Sequence, residues 1–136
     1  MKYMLIMNTP RDGYERYMKW PKEIIEANSA FMIAFSRKLQ AAGELVASQG
    51  LASPQVAKRV RAGKDGVPIT DGIFPESKEY LAGFWMIDVD GPERAYALAA
   101  EVSTAPGGPV VGADGAPADH FWIEVREVLS GRDCIE

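Results

Sequence analysis

A run of apolar residues, LAGFWMIDV at positions 81–89, constrains the fold more than any other segment of the chain. It is rich in aromatic and branched side chains, which favour β-strands. Its length suits a strand, whereas a helix that crosses a membrane needs about 20 predominantly apolar residues. The run therefore predicts the central strand of a sheet, around which the other elements are arranged.

Two further segments have the apolar period of amphipathic helices. The first follows Pro21, a residue favoured in the first turn of a helix, and Gly43 is placed to end it in a left-handed cap. The second begins at Asp90-Gly91-Pro92-Glu93, where Asp90 is the expected capping side chain. The predicted apolar faces are Ile24, Phe31, Phe35, Leu39 and Ala42 in the first helix and Ala95, Leu98, Ala99 and Val102 in the second.

Shorter extended segments complete the pattern. Residues 2–8 and 45–51 are predicted strands, and residues 56–61 and 67–70 are predicted arms of a hairpin whose turn uses the positive φ of Asp65-Gly66. The last segment, 121–128, alternates between two faces. Its core face is Phe121, Ile123 and Val125, and its opposite face is Trp122, Glu124 and Arg126.

Without the hairpin, the order of elements is strand, helix, strand, strand, helix, strand, which is typical of an α+β ferredoxin-like domain. We predict one domain over residues 1–136, with an antiparallel sheet, two helices on one face and an extra β-hairpin. The other face of the sheet is then uncovered, although its strands are rich in Phe, Trp and Met. Because a large exposed apolar patch marks an interface or a ligand site, we expect a homodimer in which two sheets face each other.

Charge and composition exclude several classes of function. The net charge of −4, with both signs interspersed, offers no basic stripe for phosphates and disfavours direct nucleic-acid binding. Cys134 is the only cysteine and His120 the only histidine, so we expect no internal disulfide, no metal site and no cofactor. There is no apolar run of membrane length and no signal segment, so we expect no membrane partner and a cytoplasmic location.

The stretch TDGIFPESKE, residues 70–79, followed by a glycine-aromatic strand, resembles the hallmark of the YCII-related, or DGPF-domain, family. KYMLIM, RKLQAAGELVASQGL and IEVREV resemble further parts of the same family in the same order. The resemblance implies a ferredoxin-like fold paired into a dimeric α-β barrel with clefts between sheet and loops. Two departures are Ile73, where the family usually has proline, and a longer Gly/Pro/Ala-rich segment at 103–119, which is typical of a binding loop, a lid or a disordered insert.

Two candidate catalytic residues stand out. Asp71, partly withdrawn from water at a strand end, would serve as a general base. Alternatively, its carboxylate accepts backbone N–H groups in a turn, with Gly72 at positive φ. His120 lies where the 103–119 segment enters the last strand, and it is either a proton carrier at a pocket mouth or a surface residue. The enzymatic relatives that the resemblance suggests carry their histidine early in the chain, so their His-Asp pair does not transfer to this sequence.

Candidate ligand-binding residues lie on the strands and on the TDGIFPESKE loop. Phe74 is either a core anchor for the loop or a ligand contact, and Lys78 either holds a substrate charge or is solvated. Trp85 and Trp122 are expected to line a pocket wall. Glu124 and Arg126 share a face with Trp122, where Arg126 would clamp a carboxylate or planar ligand, or pair with an acid of the partner across the dimer.

Two functions of different classes remain open at this point. One is a small cofactor-free enzyme or ligand-binding domain for a small polar or aromatic molecule in the inter-sheet cleft. The other is a non-catalytic dimeric module that is regulatory or binds a partner, since members of the resembled family are often labelled, by genomic neighbourhood, with a link to alternative sigma factors. The presence or absence of an open pocket discriminates between them.

Overall fold

The main sheet has four strands, and each neighbouring pair in it is antiparallel. The computed structural model describes residues 1–74, 76–107 and 121–131. The strands are β1 (Lys2–Thr9), β2 (Leu45–Gly50), β3 (Arg59–Ala62), β4 (Pro68–Asp71), β5 (Tyr80–Asp88) and β6 (Glu124–Glu127), and the helices are α1 (Gly13–Met18), α2 (Lys22–Ala41) and α3 (Pro92–Val102).

The sheet order is β2-β5-β1-β6, and β3 and β4 form a separate two-stranded hairpin. Apart from α1 and the hairpin, this is the strand-helix-strand-strand-helix-strand arrangement of a ferredoxin-like domain. The predicted fold class is therefore confirmed. The apolar run at 81–89 lies almost entirely in β5, which is paired on both sides, by β1 and by β2. It is an interior strand, as predicted.

The core lies between one face of the sheet and the helices α2 and α3. Because side chains alternate along a strand, Tyr3, Leu5, Trp85 and Ile87 all point to this face and are buried. Opposite them, α2 contributes buried Phe35 and Leu39, whereas Ile24 is half-buried and Ala42 exposed. The predicted face of α3 is buried throughout, through Ala95, Leu98, Ala99 and Val102.

The predicted helix ends are correct in one case and wrong in another. Gly43 has φ +71°, the left-handed conformation expected just beyond the end of α2. At the start of α3 the capping position is Gly91 rather than Asp90, and no side chain caps the helix. Pro92 occupies the first turn, where the backbone N–H that proline lacks would have no partner within the helix.

One helix was not predicted from the sequence. α1 has six residues, fewer than two turns, so it is too short to show an apolar period. An ion pair between Arg16 Nε and Asp12 Oδ2, 2.9 Å apart, joins its first turn to the residue before it. Such i,i+4 pairs support short helices.

The second face of the sheet carries no helix among the described residues. Directly opposed residues of antiparallel strands point to the same side, and the register places Met4 beside both Met86 and Arg126, and Ile6 beside both Phe84 and Glu124. The four apolar side chains of this group are half-buried. As predicted, Ile123 and Val125 pack toward the core while Trp122, Glu124 and Arg126 are exposed. We call this side the uncovered face.

The hairpin has the predicted turn, a shorter first arm and a second arm displaced by one residue. Asp65 and Gly66 have φ of 60° and 77°, as expected for a tight connection. Val56, predicted in the first arm, lies instead in a short 3-10 turn, Pro54–Val56. Residues 108–119 of the predicted binding loop lie outside the described residues. In the described part of the chain, no helix is long and apolar enough to cross a membrane.

The start of β2 is tied to α3 by a two-pronged ion pair, which predicts a pH dependence of stability. Arg94 Nη2 and Nε donate to the two carboxylate oxygens of Glu44 at 2.8 and 2.9 Å. The hydrogen bond from Arg94 lowers the pKa of Glu44 below its ordinary value of 4.5. A carboxyl whose pKa is lower in the folded state stabilises the fold above its unfolded pKa and loses that contribution as pH falls through the folded pKa.

We therefore expect Glu44→Gln to lower the free energy of unfolding at pH 7 by up to about 1 kcal/mol, as for other partly exposed ion pairs. The difference between wild type and variant should shrink as pH falls below 4.5. Urea denaturation at pH 7, 5, 4 and 3 measures it. A difference that is the same at every pH would show that the ion pair does not stabilise the fold.

Candidate ligand-binding site

A cavity of about 410 Å³ lies at the end of the sheet where β1 and β2 finish. It is bounded by the last residues of β1, by α1 and Trp20, by one side of α2, and by the segment that follows β2. Fifteen residues line it: Met7, Asn8, Thr9, Gly13, Tyr14, Tyr17, Trp20, Asn28, Met32, Leu51, Ala52, Pro54, Ala82, Gly107 and Phe121. Cavities of this size are typical of small-molecule sites.

One wall of the cavity consists of aromatic rings spaced by about one helical turn. Tyr14, Tyr17 and Trp20 follow one another at intervals of three residues, which places them on the same side of α1 and its continuation. Tyr17 and Trp20 pack edge to face with ring centres 5.1 Å apart. The Trp20 ring also lies against Gly107, where a β-carbon would come within 3.1 Å of Trp20 Cη2. This crowding fixes the indole at the edge of the cavity.

Polar groups at the cavity are few and uncharged. Asn28 Nδ2 donates to the carbonyl oxygen of Pro106 at 2.7 Å, which holds the chain after α3 against α2. Its amide oxygen is an acceptor, as are the side chains of Asn8 and Thr9. No Asp, Glu, Lys or Arg is among the described lining residues. The described part of the site thus offers hydrogen bonds but no counter-charge to a ligand.

A hydrogen bond between buried Ser53 and half-buried Glu15 fastens α1 to the segment after β2. Ser53 is 8% exposed; its Oγ donates to Glu15 Oε1 at 2.9 Å and accepts from the backbone N–H of Gln55 at 3.2 Å. Within the described residues, Glu15 Oε2 is buried without a hydrogen-bond partner. The neighbours of both residues, Tyr14 and Pro54, line the cavity. The pair therefore holds two walls of the cavity together.

Asp71, a predicted catalytic residue, lies at the base of the hairpin with its side chain 76% exposed. Arg59 Nη2 pairs with Asp71 Oδ2 at 2.9 Å, and Asp71 Oδ1 accepts the backbone N–H of Gly72 at 2.7 Å. This bond differs from the turn hydrogen bond that we expected as the alternative to catalysis, because its donor is the next residue and not the residue two positions on. The positive φ expected at Gly72 is wrong, because positive φ among the described glycines occurs only at Gly43 and Gly66.

The loop after Asp71 is held by side chains of β3 and β5, Arg59 and Tyr80, rather than by a buried ring of its own. Phe74 is 51% exposed, so the expectation of a core anchor is wrong; the Arg59 guanidinium lies over its ring at 4.3 Å. Tyr80 closes the loop by donating from its hydroxyl to the carbonyl oxygen of Phe74 at 2.7 Å. Lys78 is exposed. The ligand roles of Phe74 and Lys78 stay predictions.

The predicted tryptophans lie on opposite sides of the sheet. Trp85 is 6% exposed, packs edge to face on Phe35 with ring centres 5.5 Å apart, and donates from Nε1 to Ser36 Oγ at 3.2 Å. Trp122 is 96% exposed. On its side of the sheet, Arg126 Nε lies 3.7 Å from Glu124 Oε2. The structure thus keeps Trp85 apart from this exposed group.

None of the predicted site residues that the structure describes lines the cavity, and His120 lies outside the described residues. The residues that do line it come from separate segments, and only the aromatic spacing of Tyr14, Tyr17 and Trp20 was visible in the sequence. Among the described residues, no group of three or more His, Cys, Asp or Glu side chains is arranged to hold a metal ion.

We expect Ser53→Ala to lower the free energy of unfolding by about 1–3 kcal/mol, because it leaves both carboxylate oxygens of the half-buried Glu15 without a donor among the described residues. Ser103→Ala is the matched control, since Ser103 is partly exposed and donates a single bond to the carbonyl of Ala100. The control should change stability by about 0.5 kcal/mol or less. Equal losses in the two variants, measured in urea, would contradict a fastening role for Ser53.

Comparison with known proteins identifies the family. The model of the YCII-related domain matches residues 1–111. An uncharacterized protein, R00369, of Rhizobium meliloti strain 1021 is 33% identical over 86 residues, which cover 63% of this chain and 69% of the relative. The domain match includes the main sheet strands β1, β2 and β5, both large helices and most of the cavity wall. The chain belongs to the YCII-related domain family.

Proposed function

We propose that this protein binds a small, neutral, largely aromatic molecule in the 410 Å³ cavity. The observation that carries the proposal is the lining: four aromatic side chains, Tyr14, Tyr17, Trp20 and Phe121, surround a space whose described walls have no acidic or basic group. Aromatic rings bind flat apolar molecules by stacked or edge-to-face contacts. The uncharged acceptors of Asn8, Thr9 and Asn28 then orient the ligand.

A neutral ligand fits this lining better than an anion. An ionised carboxylate buried without a cation or several donors is costly. Arg126, the predicted clamp for an anionic group, is exposed on the uncovered face and is not among the cavity residues. An open cavity also favours a ligand-binding role over a partner-binding module without a ligand. Catalysis by Asp71 has less support, because Arg59 already occupies its carboxylate.

Tryptophan fluorescence tests the proposal, since Trp20 lines the cavity while Trp85 is in the core and Trp122 is exposed. We expect nitrobenzene, a neutral aromatic quencher that does not itself fluoresce, to quench the emission saturably, and 4-nitrobenzoate to bind about tenfold or more weakly for lack of a counter-charge. Trp20→Phe should abolish the saturable quenching, whereas the control Trp122→Phe should retain it. Saturable quenching that survives Trp20→Phe, or equal binding of the two probes, would refute a neutral-ligand site here.

We also propose that two copies pair through their uncovered faces. The apolar centre of this face, Met4, Ile6, Phe84 and Met86, is half-buried in one chain and carries no helix among the described residues. A contiguous apolar sheet face favours association. In such a dimer, Glu124 and Arg126 border the interface. Arg126 then forms an ion pair either with Glu124 of its own chain or with an acidic residue of the second copy.

We expect the wild type to be a dimer at micromolar concentration and Ile6→Glu to be a monomer, because the change places a charge at the centre of the proposed interface. Ile33→Glu, on the outer side of α2 where Ile33 is 52% exposed, is the matched control and should stay dimeric. Size-exclusion chromatography with light scattering measures the masses, and circular dichroism checks folding. A folded, dimeric Ile6→Glu protein would contradict face-to-face pairing.

A further inference from the structure

The β3–β4 hairpin packs on little of its own chain. Between residues 56 and 71, Arg59 and Gly63 are half-buried and every other residue is exposed. The exposed residues include the apolar side chains of Val60, Val67 and Ile69, at 61%, 61% and 41%. In the described chain, extensive contacts of β3 and β4 are with each other only. The hairpin is thus an ordered projection with apolar surface.

Such a projection needs a source of stability beyond its own ladder. A two-stranded hairpin alone is marginally stable in water, and three strands or packing against another element are needed for independent stability. At its base, Arg59 bonds to Asp71 and to the carbonyl of Gly72, which fixes one end. The distal half, from Val60 to Ile69, has no comparable support among the described residues. A second molecule that covers it supplies the missing contacts.

The charge distribution indicates what that molecule is. Residues 58–71 hold four basic and two acidic side chains, a net charge of +2, in a chain whose total is −4. The remainder of the chain therefore carries −6. Opposite charge on two surfaces steers their association and favours that pairing over others. The acidic body of a second copy complements the basic, apolar hairpin, whereas nucleic acid would be repelled by the same body.

We propose that the β3–β4 hairpin is an arm that docks on a second copy of this chain. Its apolar residues are covered by the second copy, and Arg61 and Lys64 meet carboxylates there. Two-fold symmetry makes the exchange reciprocal, so each copy gives one arm and receives one. The arm is a different surface from the uncovered sheet face and does not rest on the proposed ligand. It adds a second contact area to the proposed homodimer.

The test replaces an apolar side chain of the arm by a negatively charged one without unfolding the hairpin. Ile69 lies opposite Arg61 in the hairpin register, so Glu in place of Ile69 gains a favourable cross-strand pair. On the proposed partner surface, the same carboxylate meets negative charge. We expect Ile69→Glu to raise the dimer dissociation constant at least about tenfold. Ile33→Glu makes the same change on α2, at a similarly exposed site, and should leave the constant unchanged.

Sedimentation velocity over a range of protein concentrations measures these constants. Raising NaCl from about 50 to 500 mM should also weaken the wild-type dimer, because screening reduces the charge attraction. If the dimer dissociation constant of Ile69→Glu equals that of the wild type, the proposed docking of the arm is refuted. It is also refuted if the wild type is monomeric at every concentration. Loss of the dimer in Ile69→Glu but not in Ile6→Glu keeps the arm and refutes face-to-face pairing. Binding of a labelled DNA duplex that Ile69→Glu abolishes assigns the hairpin to nucleic acid and refutes the arm.

Discussion

The structure depends on the double pairing of β5, whose alternating side chains divide the molecule into two layers. Because β5 is bonded to both β1 and β2, its register determines what each face of the sheet presents. Trp85 and Ile87 point to the helices and are buried, whereas Phe84 and Met86 point away and remain half-buried. A slip of one residue would exchange the two sets. One strand thus provides both the core and the apolar surface that we assign to a second copy.

The cavity lies where the long helices that pack on the sheet give way to a short one. α2 and α3 bury the middle of the sheet with large aliphatic and aromatic side chains, but at the end near Thr9 the cover is the short α1 and Trp20. The β5 residue that lines the cavity is the small Ala82, and at the next position, Gly83, a β-carbon would lie 3.0 Å from the backbone oxygen of Gln49. Large rings above small residues leave a space that the core elsewhere fills.

The elements with a strong, long apolar period were predictable from sequence, and the site was not. The buried face of α3 follows directly from spacing, as the burial of Leu98 shows, and the apolar run at 81–89 predicts β5 as an interior strand. The cavity gathers residues from segments far apart in the chain, and its aromatic wall lies on a helix too short to have a detectable period. Because the stretch TDGIFPESKE is conspicuous in the sequence, the predicted catalytic residue was Asp71, which does not line the cavity. The exposure of Phe74 was not predictable either. Whether a loop side chain is buried depends on which other segments pack over the loop, and the local sequence does not specify them.

The segment that resembles the family hallmark has a structural role that needs no chemistry. Arg59 bonds to Asp71 and to the carbonyl of Gly72 and covers the ring of Phe74, while Tyr80 holds the backbone of the same loop. These contacts order the base of the hairpin and the loop that joins it to β5. An arm that is already ordered loses less conformational freedom on docking than a flexible one, which strengthens association without any new contact. In the proposed dimer, Asp71 contributes to assembly through Arg59, and a catalytic role would require this ion pair to open first.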